Sequence, residues 1–391
     1  MSHTKDSLNS IFDLEFQNLR HQRMEAWKYI AENAKNQITI FGAGHLGRKV
    51  LRSLLAVGLP PLAILDNKAD LCQKTFDNIL ILHPNKALEQ LGSDVLIILA
   101  VYNTSKPRDQ LKALGFKRII HCANVFAGMP DVALPFFCLD DTDIIFKNGA
   151  QVKKVFELMA DEASKDLYVA QIRYRLYFDF DYVLRPQTNK MRASEYFPSD
   201  IYRFLDDEIL VDCGAFTGDT VNRFLNIRNE KFKQIYAFEP DKKNYTVLVK
   251  SLNDLPSTIN AKIKPLNQGV SNSPGLVSFQ SDGTVFSLAS TKGKDVATMV
   301  RLDEALSETI PTLIKMDIEG AEIDALHGCT EIIRAHRPVF AICVYHASQH
   351  LWEVPLLISN LCHNYQFFLR AHAEDCWDVT CYAVPSERVM F

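Results

Sequence analysis

Five of the chain's sixteen glycines fall in two short turns, Gly42, Gly44 and Gly47 in the first and Gly214 and Gly218 in the second. Each turn follows an apolar run and precedes a stretch patterned as a helix. No other feature constrains the chain so strongly. A strand that ends in a glycine turn and feeds a helix opens a βα unit, and successive βα units close into a parallel sheet with right-handed crossovers. Two such openings in 391 residues predict two sheets, because single hydrophobic cores stop growing at roughly 250–300 residues.

The patterning around the turns divides the chain. Ile11, Leu14, Leu19, Trp27 and Ile30 are spaced for a helix, which gives an N-terminal helix within residues 1–35. From Gln37 the runs QITIF, PLAIL, VLIILAVY and RIIHC alternate with helical stretches, which predicts a Rossmann-like domain of nucleotide-binding type over 36–128. Between 129 and 206 the alternation stops, and Val152, Val155, Met159, Ile172 and Leu176 share a helical face, the pattern of a helical connector. A second series, EILVDC, QIYAFEP, AKIKPL, TLIKMD, PVFAICVY, YQFFL and DVTCYAV, predicts a larger α/β domain over 207–391. The fold class is therefore α/β, with two parallel-sheet Rossmann-like domains joined by a helical connector.

Composition excludes several classes of function. With 47% hydrophobic and 23% charged residues and a net charge of −4, the chain is globular and has no basic surplus for nucleic acid. No run approaches the roughly 20 apolar residues of a membrane helix, and the polar start MSHTKDSLNS does not read as a signal peptide. Nine cysteines, an odd number without a CxxC pair, predict reduced thiols in a cytoplasmic protein. A homo-oligomer is compatible with all of this.

The first glycine turn, Gly42-Ala43-Gly44-His45-Leu46-Gly47, is a GxGxxG between strand and helix, and Asp66 ends the next strand 24 residues after Gly42. Glycines at these places permit a tight turn and close approach to a pyrophosphate, and the acid can receive ribose hydroxyls. Gly42, Gly44, Gly47 and Asp66, with His45 over the loop, thus outline a pocket for a nucleotide or nucleotide sugar. The unit resembles the short N-terminal Rossmann-like domains in front of sugar-modifying enzymes. The other reading of the turn is a Rossmann-like shape that holds no nicotinamide cofactor, because the unit is short and no dehydrogenase-like catalytic segment follows it.

The second turn, Asp212-Cys213-Gly214-Ala215-Phe216-Thr217-Gly218-Asp219-Thr220, has the looser spacing DxGxxxG. S-adenosylmethionine has no pyrophosphate, so its loop curls around the methionine amino and carboxylate groups, and an acid such as Asp212 can accept from the ammonium. Glu239, 25 residues after Gly214, ends the next strand, where a carboxylate can accept both ribose hydroxyls with Phe238 and Pro240 near the adenine.

Taken together, VDCGAFTGDT, YAFEPD, IKMDIEGAEIDALHG and RPVFAICVYH, in this order and spacing, resemble the FkbM-type methyltransferases. These are class I S-adenosylmethionine-dependent enzymes that methylate hydroxyl groups, often on sugars or polyketide-like products. The resemblance runs from about Tyr196 to the C-terminus, and ADEASKDLYVAQIRYRL and YFPSDI resemble the lead-in of longer members. It implies a class I fold with a seven-stranded sheet whose last strand, DVTCYAV, is antiparallel.

Methyl transfer is an in-line displacement that needs a placed acceptor oxygen and help for a poorly nucleophilic alcohol. Asp317 ends TLIKM, His346 ends PVFAICVY and Arg370 ends YQFFL, so three polar side chains are expected beyond the carboxyl ends of the strands, where open α/β sheets hold their ligands. His346 is the candidate base and Asp317 faces cofactor or acceptor. Glu319 is a candidate acceptor contact, and Arg370 a candidate clamp for an anionic group on the acceptor. Glu322 is expected to be structural, at a helix start. Asp317, Glu319 and His346 are types that hold hard ions, but there is no HExxH or CxxC spacing and no metal is expected. The leading expectation is an O-methyltransferase acting on a hydroxyl of a sugar, nucleotide-linked sugar or related small metabolite. An NAD(P)-dependent oxidoreductase that uses the Gly42–Gly47 loop, or a non-catalytic cofactor-binding protein, is the alternative.

Overall fold

A computed structural model of the chain describes residues 8–12, 14–33, 37–136, 138–178, 183, 194–229, 231–279, 295–372 and 378–390. The chain forms two compact units, Met1–Gly149 with Val169–Arg185, and Ala150–Tyr168 with Pro186–Phe391. Residues 129–206 are thus shared between the two. Among the described residues no helix is long and apolar enough to cross a membrane, and the described cysteines are all free thiols; Cys376 lies outside the described residues.

The first unit is built on a six-stranded sheet in the order β3-β4-β2-β1-β5-β6. Its strands are β1 (Ile38–Phe41), β2 (Ala63–Leu65), β3 (Thr75–Phe76), β4 (Ile79–Leu82), β5 (Leu96–Leu99) and β6 (Arg118–His121). All neighbours run parallel except β3 and β4. β1, β2 and β5 are buried along their whole length, which explains their continuous apolar runs, since a parallel sheet has helices on both faces. The helix His45–Ala56 buries Leu46, Val50, Leu51 and Leu54, a stripe at helical spacing worth about 2 kcal/mol for each side chain removed from water. N-terminal to the sheet, the helix Leu14–Asn33 buries Trp27 and Ile30.

The turn after β1 is closed by its own acid. The Ala43 amide donates to Asp66 Oδ2 at 2.8 Å and the Lys68 amide to Oδ1 at 2.9 Å, so the carboxylate read as a ribose acceptor ties the end of β2 to the glycine loop. Gly47 packs face to face with the Gly42 carbonyl, where no Cβ could fit, whereas Gly44 faces open space. His45 is the exposed first residue of its helix.

The second unit carries a seven-stranded sheet in the order β15-β16-β14-β13-β7-β8-β9. Its strands are β7 (Ile209–Cys213), β8 (Gln234–Phe238), β9 (Ile263–Leu266), β13 (Leu313–Met316), β14 (Val339–Cys343), β15 (Tyr365–Ala371) and β16 (Val379–Pro385). β16 runs antiparallel to both neighbours and all other pairs are parallel, so the expected seven strands and the reversed last strand are all present. A small second sheet, β10 (Gly269–Val270), β12 (Asp295–Val300) and β11 (Gly275–Phe279), was not foreseen. Residues 150–168 belong here because they dock on β15: the Ala160 amide donates to Phe367 O at 2.8 Å, and the Leu369 amide to Ser164 Oγ at 2.9 Å.

The two glycines of the first loop make a paired prediction. Gly47→Ala forces a Cβ against the Gly42 carbonyl and is expected to cost about 2 kcal/mol or more of stability, whereas Gly44→Ala is expected to cost under about 1 kcal/mol. Urea denaturation of both variants beside the wild type measures the difference, and equal losses would contradict the packing described.

Candidate active site

The sequence of β13, LIKM, places a lysine in the middle of a buried strand. Lys315 is opposite Asp212 in the β7–β13 register, and its Nζ lies 3.0 Å from Asp212 Oδ1, with side-chain exposures of 2% and 0%. The ammonium also donates to Gly214 O at 2.7 Å and to Cys213 O at 3.3 Å. Burial pushes the Asp212 carboxyl up to about 6. Burial alone would lower Lys315, but the Asp212 and Asp317 carboxylates reverse this and keep it a cation. Asp212 therefore serves as counter-ion to Lys315, wholly inside the protein, and Lys315 reaches the turn in its place.

The ammonium's grip on two consecutive carbonyls fixes the turn that follows β7. Gly214 has φ +80°, and a Cβ on it would run into the Asp317 carbonyl, so this position combines a left-handed backbone with a close approach that only glycine allows. Across the turn, Glu239 at the end of β8 accepts from the Phe216 amide at 2.8 Å and from the Asp241 amide at 2.8 Å. A carboxylate has about four lone pairs, which leaves two for a ligand's hydroxyls. Burial raises the Glu239 carboxyl to about 7.

A cavity of about 850 Å³ opens at this edge of the sheet. Of the residues expected to bind cofactor, Gly214, Phe216, Thr217, Asp219, Thr220, Glu239 and Pro240 line it. Asp212 and Ala215 are buried behind the turn, and Gly218 packs toward Leu248 and Ser251.

At the other end of the cavity stand Asp317 and Glu319. Asp317 Oδ2 accepts from Tyr196 Oη at 2.9 Å and Oδ1 from Tyr345 Oη at 3.2 Å. Burial alone would raise Asp317, but Lys315, His346 and the Tyr196 hydroxyl hold it below the ordinary carboxylate range. His346 follows β14 with its side chain only 8% exposed. Its Nδ1 lies 2.8 Å from Glu322 Oε1, and its Nε2 is 3.4 Å from Asp317 Oδ1 and 3.5 Å from Glu319 Oε2. Burial would lower the imidazole, but the three carboxylates, Glu322 foremost, carry it to about 9, and burial carries Glu319 to about 7. Glu322, expected as a helix-start acid, does open the helix Glu322–His327, but its carboxylate is turned inward onto His346 and the Ile318 amide.

Arg370 is elsewhere. Its guanidinium pairs with Asp161 at 2.6 Å and donates to Ser164 Oγ at 2.9 Å, because β15 is the edge strand, two strands beyond β14. The guanidinium on the cavity wall is that of Arg223, paired with Glu195 at 2.7 Å. Tyr196, Glu195, Arg223, Lys315 and Tyr345 are the site residues that the sequence reading missed. A lysine inside an apolar strand was the one available signal among them, because a buried ammonium demands a buried partner.

A seven-stranded sheet with one reversed strand and a ligand cavity beyond the ends of β7, β8 and β13 defines a class I methyltransferase fold. A crystal structure of methyltransferase FkbM from Methylobacillus flagellatus KT shares it, with a TM-score of 0.81 at 22% identity over 97% of this chain and 100% of that one. Residues 212–367 match the family described as Methyltransferase FkbM domain, and the protein is accordingly a methyltransferase enzyme with a segment similar to that family's domain. Hexuronic acid methyltransferase AglP of Haloferax volcanii is 27% identical over 173 residues, which are 41% of this chain and 67% of that protein.

Truncating one partner of the Lys315–Asp212 pair leaves a buried charge, so Lys315→Ala is expected to lose about 3–5 kcal/mol of stability. Without the ammonium, Asp212 rises further above its value in the unfolded chain. The native variant then binds the extra proton, and its deficit shrinks as the pH is lowered from 8 to 5. Denaturant unfolding at the two pH values checks this; a deficit independent of pH, or none, would contradict it.

Proposed function

We propose that this enzyme transfers a methyl group from S-adenosylmethionine to a hydroxyl of a carbohydrate-like small molecule, a sugar, uronic acid or nucleotide-linked sugar. The observation that carries the reading is that Glu239 and the Asp317–Glu319 end open into one cavity. The residues present fit the cofactor: Glu239 has unused lone pairs for a ribose diol, Pro240 and Phe238 line the wall beside it, and the Gly214 turn admits a ligand against its backbone. S-adenosylmethionine bound there supplies a methyl group on a sulfonium sulfur, which leaves with the bonding pair as a neutral thioether.

The chain's own contribution is placement and charge. Asp219 and Thr220 take the part of methionine-end contacts in place of Asp212, which is committed to Lys315. Asp317 and Glu319 face the acceptor hydroxyl, Glu319, which burial raises to about 7, receives the proton that it gives up, and His346 behind them holds both carboxylates in place. Arg223 is placed to meet an anionic group on the acceptor. Support for a sugar acceptor comes from the likeness to the hexuronic acid methyltransferase of Haloferax volcanii.

Calorimetry tests the cofactor half. Glu239→Ala is expected to weaken S-adenosylmethionine binding about 10–100-fold, the worth of hydrogen bonds to a charged group. Glu239 titrates near 7 in the free protein and accepts ribose hydroxyls best as a carboxylate, so binding at pH 6 releases a proton and affinity rises with pH up to about 7. Unchanged affinity in the variant would sink the assignment. For the acceptor half, a trideuteromethyl donor offered with uronic acids, hexoses and nucleotide sugars should mark an oxygen in at least one of them by mass spectrometry.

A further inference from the structure

Lys315 and Arg223 are the basic residues among those lining the cavity, and only one of them is fully used. The Lys315 ammonium has Asp212, Cys213 O and Gly214 O, which occupies its three donors. Arg223 follows Asp219 and Thr220 by one turn on the helix Asp219–Arg228 and shares the cavity face with them. Its Nη1 lies 2.7 Å from Glu195 Oε2 but out of line with it, so this nitrogen, itself out of water, makes no hydrogen bond. The guanidinium stands 5.8 Å from the centre of the Tyr196 ring. A guanidinium offers five N–H donors in a planar fork that matches both oxygens of a carboxylate, and Glu195 does not engage that fork.

We propose that Arg223 is the carboxylate receptor of the cavity, and that a ligand's carboxylate takes the place of Glu195 on its guanidinium. Glu195 gives up the contact without leaving a buried charge behind, because it takes a proton from solvent instead. Burial already carries its carboxyl to about 7 against the pull of Arg223. The other charged groups that bear on it are Asp378 and Asp317, which raise it, and Lys315, which lowers it. A carboxylate seated on Arg223 cancels the strongest of the lowering charges, so Glu195 rises further and binds the proton. The sign follows: the carboxylate binds best below about pH 7, where Glu195 is already neutral, and more weakly as the pH rises. Two sources bring a carboxylate here, an acidic acceptor such as a uronic acid and the methionine end of the cofactor. That either enters this cavity rests on the proposed function, but the receptor, an unused fork beside a displaceable acid, does not.

The test is calorimetry on the full-length protein at pH 8, in two buffers of different ionisation enthalpy, with paired ligands that differ at the acid. One pair is S-adenosylhomocysteine and its decarboxylated analogue; the other is glucuronate and glucose, each added alone and with S-adenosylhomocysteine. Arg223→Gln is expected to weaken the acid of one pair at least about tenfold, the worth of hydrogen bonds between charged groups, and to leave its neutral partner unchanged. Arg223→Lys, which keeps the charge without the fork, is expected to lose part of the same affinity. The wild type should take up about one proton with that ligand, and Glu195→Gln none. All variants are first checked for their fold by circular dichroism. A loss within the first pair assigns the carboxylate to the cofactor, and within the second to the acceptor. Equal effects on both members of each pair, no effect on either, or proton uptake unchanged in Glu195→Gln would overturn the receptor. Failure of the wild type to bind S-adenosylhomocysteine would count against the proposed function, and the glucuronate pair would then decide the receptor by itself.

Discussion

The site hangs on a buried ion pair. Lys315 and Asp212 sit opposite each other on β13 and β7, almost wholly out of water, and the ammonium spends its remaining donors on the carbonyls of Cys213 and Gly214. A buried pair of this kind is weak evidence for stability, because desolvation offsets much of the attraction. Its value here is positional. It locks the first turn of the sheet at the point where Gly214 must adopt φ +80° against the Asp317 carbonyl, and it places a fixed positive charge beside Asp317. Lys315 thereby joins the Gly214 turn to the Asp317 end of the cavity.

The Asp317 end of the cavity is assembled around that charge. Asp317 remains ionised because Lys315, His346 and the Tyr196 hydroxyl favour its charged form, and Tyr345 completes its shell. The same carboxylate, with Glu319 and Glu322, surrounds His346. Such a ring of acids about one imidazole is stable only with a positive charge at its centre, whether a proton or an ion. The electrostatics of the cavity are therefore a sequence of alternating signs, from Asp212 through Lys315 and Asp317 to His346.

Much of this was legible in the sequence. The seven strands of the second unit show as apolar runs because a sheet covered on both faces buries every residue, and the strand-end acids Glu239 and Asp317 stand where parallel strands deliver their side chains. The reasoning that placed Glu239 failed for Arg370, since strand-end position says nothing about lateral distance, and β15 lies at the sheet's edge. Asp212 misled for a different reason: an acid beside a glycine turn reads as a ligand contact unless its partner is known, and that partner lies over a hundred residues away. Tyr196 and Arg223 come from a lead-in segment and a helix whose docking depends on tertiary packing, and strands as short as β10 leave too little periodicity to read.

The central claim is that cofactor and acceptor meet in the cavity beyond β7, β8 and β13. The most direct measurement is a crystal structure with S-adenosylhomocysteine. The expected result places both ribose hydroxyls within hydrogen-bond distance of the Glu239 carboxylate, with the sulfur directed toward Asp317 and His346. Ligand bound at the Gly42–Gly47 loop, or in the cavity with its ribose away from Glu239, would contradict it.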